Sequence, residues 1–255
     1  MIIGITSIGY NCKEHIDKVL FSWNEIKKGA IKDTVFISAV HACFKETFAS
    51  GYPIYSTDGT IEAFKSYKKQ AVIDNYIQFV TPQLEFNVWN SNLEFLFSKN
   101  IDILMMLNFD EVWTIEEIKK LIEIIKEKEE YDYFNINFKN YVFDYNTYVD
   151  DFIVPRIWRT NRNGGIKGFY YDDELHFNNS LSYKQVPSYS IPKSDLFPKH
   201  YRWVGSKELL QRKLAFQKKH YGICSYKWNE EKDSLVFNDE YYTKMNKQKP
   251  KLYTE

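Results

Sequence analysis

"ILMMLNFDEVWTIEEIKKL", residues 103–121, decides how the chain is read. An unbroken apolar run meets Asn108-Phe109-Asp110-Glu111, and an amphipathic segment follows at once. A run without polar alternation predicts a strand covered on both faces, the signature of a parallel sheet. Thr114 and Glu117 stand at capping-box spacing, and Ile118, Leu121, Ile122 and Ile125 form the apolar stripe of a helix. Thr114 and Glu117 account for the helix start without Asp110 and Glu111. The two carboxylates therefore either favour the positive helix terminus or hold a hard divalent cation together with a ligand's phosphates.

The same alternation extends to both sides. "MIIGITSI" (1–8) predicts a buried strand, and "KEHIDKVLFSWNEIKK" (13–28) carries a helical stripe at Ile16, Val19, Leu20, Trp23 and Ile26. "DTVFISAV" (33–40) predicts a second strand, and "YPIYSTDGT" (52–60) a short third one ending in a turn. Helices are expected within 58–80 and across 87–100. Strands alternating with helices imply a mostly parallel α/β sheet with right-handed crossovers. Ligands of such sheets lie beyond the carboxyl ends of the strands, so Thr6-Ser7-Ile8-Gly9-Tyr10-Asn11 and Asn108–Glu111 should share one rim. After about residue 130 the texture changes. "YDYFNINFKNYVFDY" (131–145) and "FIVPRIWRTNRNGGIKGFYY" (152–171) predict strands, some antiparallel, the latter two joined by a Gly-rich loop. "SKELLQRKLAFQKKHYG" (206–222) predicts a helix ending near Gly222, and "TKMNKQKPKLYTE" (243–255) a mobile basic tail. The expected organisation is 1–130 as a ligand-binding α/β half, 131–222 as the acceptor-side half of the same domain, and 223–255 as a partly flexible extension.

Composition narrows the class. Hydrophobic residues make up 44% of the 255, enough for a sizeable core. Lys plus Arg and Asp plus Glu both number 34, so no net field draws the chain to nucleic acid or an anionic membrane, and no stable partner of either kind is expected. The 20 Tyr and 19 Phe exceed ordinary usage, reflecting codon bias or a ligand groove. Cys12, Cys43 and Cys224 are widely spaced and form no metal pattern. With no basic leader and no long apolar run, the expectation is a soluble, cytoplasmic protein.

Four further features carry candidate chemistry. His200 in "FPKHYRWVG" reads as a packed residue unless the fold brings it near Asp110. "YYDDELHF" clusters Asp172, Asp173 and Glu174, either a solvated turn or a general base whose neighbours raise its pKa, with His176 as local support. Asp58-Gly59 reads as a turn, with Asp58 also able to accept a hydrogen bond from a base or ribose. Asn90 lies on an expected helix. P-loop, dinucleotide, zinc-protease and nucleophile-elbow signatures are all absent.

Taken in order, residues 2–220 resemble the GT-A-fold nucleotide-sugar glycosyltransferases, especially the inverting family-two-like enzymes. "IIGITSIGYN" resembles their first strand and base-binding loop, which points to Thr6, Ser7 and Tyr10. "STDGT" resembles the element whose Asp, here Asp58, contacts the nucleoside. "WNSNLEFLFSKNIDILMMLNFDEVW" resembles the stretch ending in the DxD motif, here an NxDE variant, and places Asn90 and Asn108 at the nucleotide-sugar and Asp110 on the metal. "VPRIWRTNRNGGIKGFYYDDEL" resembles the region of the catalytic base, which falls on Asp173, with Asp172 beside it. "KHYRWVGSKELLQRKLAFQKKHYG" resembles the late segment whose His, here His200, completes the metal site. The resemblance implies a metal-dependent, inverting hexosyltransferase using Mn²⁺ or Mg²⁺. Its donor would be a nucleotide-sugar, with a UDP-sugar favoured, and its acceptor a glycan, lipid-linked or other hydroxyl in glycan biosynthesis. Three positions depart from the pattern: Asn108 for the first Asp, Trp89 for an Arg, and Asp-Asp for His-Glu. They motivate the alternative of a catalytically inactive sugar-nucleotide- or glycan-binding protein.

Overall fold

The computed structural model describes residues 1–30, 32–170, 174–179 and 181–255. Its strands are β1 (Ile2–Gly9), β2 (Thr34–His41), β3 (Asn75–Gln78), β4 (Ile103–Met106), β5 (Glu111–Val112), β6 (Tyr133–Val142), β7 (Thr147–Arg159), β8 (Ile166–Tyr170), β9 (Glu174–Phe177), β10 (Ser188–Ser190), β11 (Lys199–Trp203), β12 (Tyr226–Asn229), β13 (Ser234–Phe237) and β14 (Tyr253–Thr254). Its helices are α1 (Lys13–Glu25), α2 (Lys45–Ala49), α3 (Thr60–Lys69), α4 (Glu85–Ser91), α5 (Leu93–Phe97), α6 (Ile115–Glu127), α7 (Lys207–Tyr221) and α8 (Asp239–Lys244).

Ten strands form one sheet in the order β3-β2-β1-β4-β7-β6-β11-β5, with β10 on β6 and β14 on β7. The pairs β3–β2, β2–β1 and β1–β4 are parallel. β7 joins β4 antiparallel and begins the mixed half. Two small antiparallel sheets, β8–β9 and β12–β13, stand apart. The architecture is mixed α/β: a mostly parallel sheet flanked by helices, with small antiparallel additions.

β4 shows why its sequence is continuously apolar. Ile103 and Met105 join the hydrophobic cluster on one side of the sheet, and Leu104 and Met106 join the cluster on the other. Successive side chains alternate faces, and both faces are covered. α6 packs Ile118, Leu121, Ile122, Ile124 and Ile125 into the first cluster. Its capping box is formed: the Thr114 side chain accepts from Glu117 N at 3.1 Å, and the Glu117 carboxylate accepts from Thr114 N at 2.8 Å.

One segment differs from expectation. Residues 52–55 form no strand; the third strand is β3, at the far end of the 58–80 segment. Pro53 and the turn residues Asp58-Gly59 favour a loop there, whereas Tyr76 and Ile77 pair with Ala39 and Val40 of β2. The last residues of the chain form β14 on β7, and Glu255 pairs with Lys139 and Lys199. No helix among the described residues is long and apolar enough to cross a membrane.

Candidate functional site

β1 lies between β2 and β4, and the winding of the parallel half reverses there: β2 and β3 continue to one side and β4 to the other. Adjacent loops diverge at such a switch point and leave a crevice at the carboxyl ends of the strands. A cavity of about 330 Å³ opens at this place. Gly9 and Tyr10 from β1 and its loop, Asn108 and Asp110 after β4, and His200 from β11 all line it. α7 closes another wall with Arg212 and Lys213. Gly9 is required there by packing, since a Cβ would lie 2.5 Å from the Phe64 ring and 2.8 Å from Cys12 Sγ.

Asp110 and His200, ninety residues apart, are brought together by β-pairing. Glu111 of β5 is in register with His200 of β11, and Tyr201 N donates to Asp110 O at 2.8 Å. His200 Nε2 then lies 3.5 Å from Asp110 Oδ1. Lys213 Nζ donates to the other oxygen, Oδ2, at 2.9 Å. Burial pushes the Asp110 carboxyl upward, but the Lys213 and His200 charges and hydrogen bonds outweigh it and hold the group well below the usual carboxylate range.

Glu111 takes no direct part in lining the cavity. It is fully buried, and its Oε1 accepts from Arg156 Nε at 3.0 Å and Arg156 Nη2 at 2.8 Å. Asn108 Nδ2 donates to the same oxygen at 3.1 Å. This gives the amide at position 108 a physical reason. A carboxylate at 108 would face the buried Glu111 carboxylate, whereas an amide bonds to it.

Other predicted residues have different surroundings. Thr6 and Ser7 are wholly buried within β1. Thr6 Oγ1 accepts from Asn92 Nδ2 at 2.8 Å, and the Ser7 hydroxyl donates to Leu107 O. Ser7 thus ties β1 to the end of β4 and Thr6 ties β1 to the α4–α5 junction, and neither hydroxyl lines the cavity. Asp58 is exposed and ties two helix starts, accepting from Lys13 N at 2.9 Å and Thr60 N at 3.0 Å. Asn90 clips β8: its Nδ2 donates to Phe169 O at 2.8 Å and its Oδ1 accepts from Phe169 N at 2.7 Å. Tyr10 lines the cavity, donates its hydroxyl to Pro53 O and lies under the Arg212 guanidinium, 4.9 Å from the ring centre. Asp172 and Asp173 lie outside the described residues. Their neighbour Glu174 accepts from Ser182 Oγ at 2.8 Å, and that bond lowers its pKa rather than raising it. His176 packs on Tyr170 at 4.8 Å between ring centres and lies 3.6 Å from Glu174.

Five further titratable residues line the cavity without a motif that marks them in the sequence: His15, Glu85, Arg156, Arg212 and Lys213. Arg212 Nη1 donates to Tyr10 O at 2.7 Å. His15 is 1% exposed, stacks on Tyr201, and has no hydrogen bond to either ring nitrogen. "QRKLAF" on α7 announces two adjacent cations, but only the packing of α7 on the rim gives them a target. Cys12 also lines the wall, where burial pushes its thiol up to about 12, so it is no thiolate nucleophile at neutral pH.

The donor set can be tested against a divalent cation. Among the described residues no group of three His, Cys, Asp or Glu could hold one. Asp110 and His200 are two donors, and an ammonium already occupies Asp110 Oδ2. Two unit charges about 4 Å apart interact by about 4 kcal/mol at an effective dielectric near 20. A doubly charged ion beside Lys213 would meet that repulsion twice over. The described residues therefore do not fit a cation held by the protein alongside Lys213.

No family model matches the chain, and no curated protein matches it. Solved structures do. S. aureus TarS 1-349 in complex with UDP-GlcNAc superposes with a TM-score of 0.51 at 13% identity, covering 88% of this chain and 73% of that one. The mannosyltransferase PcManGT from Pyrobaculum calidifontis, in complex with GDP-Man and Mn2+, also gives 0.51, at 12% identity, covering 86% of this chain and 63% of that one. The fold is that of the GT-A glycosyltransferases. The chain spans 22% of a longer TarS structure, so it matches only part of that protein's length. Within the GT-A fold, the cavity described above lies at the carboxyl ends of β1 and β4, where the sheet opens.

Proposed function

We propose that this protein transfers a sugar from a nucleotide-sugar to a hydroxyl acceptor. The observation that carries the reading is the convergence of Asp110, His200, Arg212 and Lys213 on one cavity at the switch point of a GT-A sheet. Such a cavity offers a nucleoside wall at Tyr10 and cationic groups for a diphosphate. The neighbours' UDP-GlcNAc and GDP-Man complexes support a nucleotide-sugar as donor, and a UDP-sugar is the first to test. Asn108 would orient the sugar or phosphates through its remaining amide capacity. Asp173 would accept the acceptor's proton as its oxygen attacks the anomeric carbon in line, with inversion, and Asp172 would support it. The acceptor is a glycan, lipid-linked or other hydroxyl. The Mn²⁺ or Mg²⁺ expected with Asp110 and His200 would require Lys213 to leave Asp110.

The test is incubation with UDP-, GDP- and dTDP-sugars and a panel of hydroxyl acceptors, reading nucleotide release by chromatography. Release from one donor supports the enzyme. Binding without release across the panel assigns the non-catalytic, sugar-nucleotide-binding reading instead, and no binding removes both. Asp173→Asn should lower transfer about 10²- to 10⁴-fold, the usual worth of a general base, with donor affinity unchanged. Full turnover in that variant moves the base to Asp172 or Glu174.

A further inference from the structure

We propose that Lys213 is the resident counter-charge for a nucleoside diphosphate, so that binding at this site needs no divalent cation. The inference rests on the nucleotide-sugar reading above and specifies how that site recognises its ligand.

The local charge count carries the argument. The β4 end offers one carboxylate to the cavity, Asp110, because position 108 is an amide and Glu111 is buried against Arg156. That single charge is matched by Lys213 at 2.9 Å. Among the described lining residues the carboxylates of Asp110 and Glu85 are balanced by Arg212 and Lys213, which leaves no excess of negative charge for a dication and two cations for an anion to share. The Lys213 and Asp110 side chains are 22% and 20% exposed, so the pair is partly desolvated yet open to the cavity.

α7 sets the geometry. Lys213 points to the β4 end of the cavity, while Arg212 reaches the β1 end and is fixed by the carbonyls of Tyr10 and Asn11, at 2.7 and 3.4 Å. Among the described residues no carboxylate forms a salt bridge with Arg212. Two adjacent residues of one helix therefore present cations toward both strand ends that flank the crevice. His15 adds a buried imidazole with neither nitrogen bonded, on the same cavity wall. A diphosphate supplies the negative charge that Arg212 meets in no described carboxylate, and several acceptor oxygens that Lys213 can share with Asp110. Arg212, a planar fork held in place, and Lys213, a mobile point charge, are suited to bind one phosphate each.

The experiment is calorimetric titration of the full chain with UDP, GDP and dTDP, each in EDTA and in Mn²⁺, with the matching nucleosides as controls. The expected result is binding of one diphosphate in EDTA with an affinity like that in Mn²⁺. Lys213→Met should weaken that diphosphate in EDTA about tenfold or more, the worth of a charged hydrogen bond, while nucleoside affinity stays the same. Lys213→Arg should keep most of the affinity. Binding that appears only with Mn²⁺ overturns the inference and leaves the nucleotide-sugar reading standing, as does a Lys213→Met variant with unchanged affinity. No diphosphate binding in either condition overturns both. The wild-type comparison decides the matter even if Lys213→Met folds poorly.

Discussion

At the residue scale, Asn108 is the most informative position. Its amide donates to a carboxylate oxygen that Arg156 also holds, inside a site where Glu111 has no exposure. Exchange of the amide for a carboxylate turns that bond into repulsion. Asn108→Asp should therefore destabilise the protein by about 1–3 kcal/mol, the cost of spoiling a buried polar contact. Urea denaturation at neutral pH measures it, and the loss should shrink in acid as the new carboxylate takes up a proton. Equal midpoints at neutral pH would show that the Asn108–Glu111 contact contributes nothing.

At the scale of elements, α4 holds β8 through a side chain rather than a strand. The Asn90 amide bonds both the N–H and the C=O of Phe169, as a neighbouring strand would. Gly168 makes room for it: a Cβ there would lie 2.9 Å from Asn90 Oδ1, and its φ of 153° suits glycine. Asn90→Ala should cost about 1–3 kcal/mol and raise hydrogen exchange at the Phe169 amide. Unchanged exchange there would assign the hold on β8 to the Trp89–Phe169 packing alone.

At the scale of the whole molecule, acid stability depends on buried imidazoles. His41 is wholly buried at the end of β2, and Ser56 N donates to its Nε2 at 3.2 Å, which requires that nitrogen to be unprotonated. Burial lowers its pKa from 6.5 to about 4. His15 is lowered for the same reason. The unfolded chain binds these protons first, so stability is full above pH 6.5 and falls as pH drops toward 4. For His41 alone the loss amounts to about 3 kcal/mol. Asp110 is depressed in the folded state, so its contribution persists through this window and is lost only below the ordinary carboxylate range. Thermal melts between pH 7 and 4 should show the decline, and His41→Gln should flatten it; an identical pH slope in that variant would remove His41 as the cause.

Local patterning is enough to specify the parallel half of the sheet. Apolar runs, the Thr114–Glu117 capping box and the order of strands and helices are local properties, set by side-chain period and backbone hydrogen bonding. They also brought the ends of β1 and β4 to one rim, because parallel strands share a direction. The short strand expected at 52–55 failed because turn chemistry outweighed a few apolar residues. Thr6 and Ser7 could not be told from ligand-binding hydroxyls, since their partners, Asn92 at the α4–α5 junction and Leu107 after β4, are 86 and 100 residues away along the chain and meet them only in the fold. Which charges meet depends on contacts made in the folded chain. His200 reaches Asp110 through the β5–β11 pairing, and Lys213 and Arg212 reach the cavity through the packing of α7. Both depend on long-range register, for which a single sequence carries no period, and it is this register that sets an ammonium, rather than another carboxylate, beside Asp110.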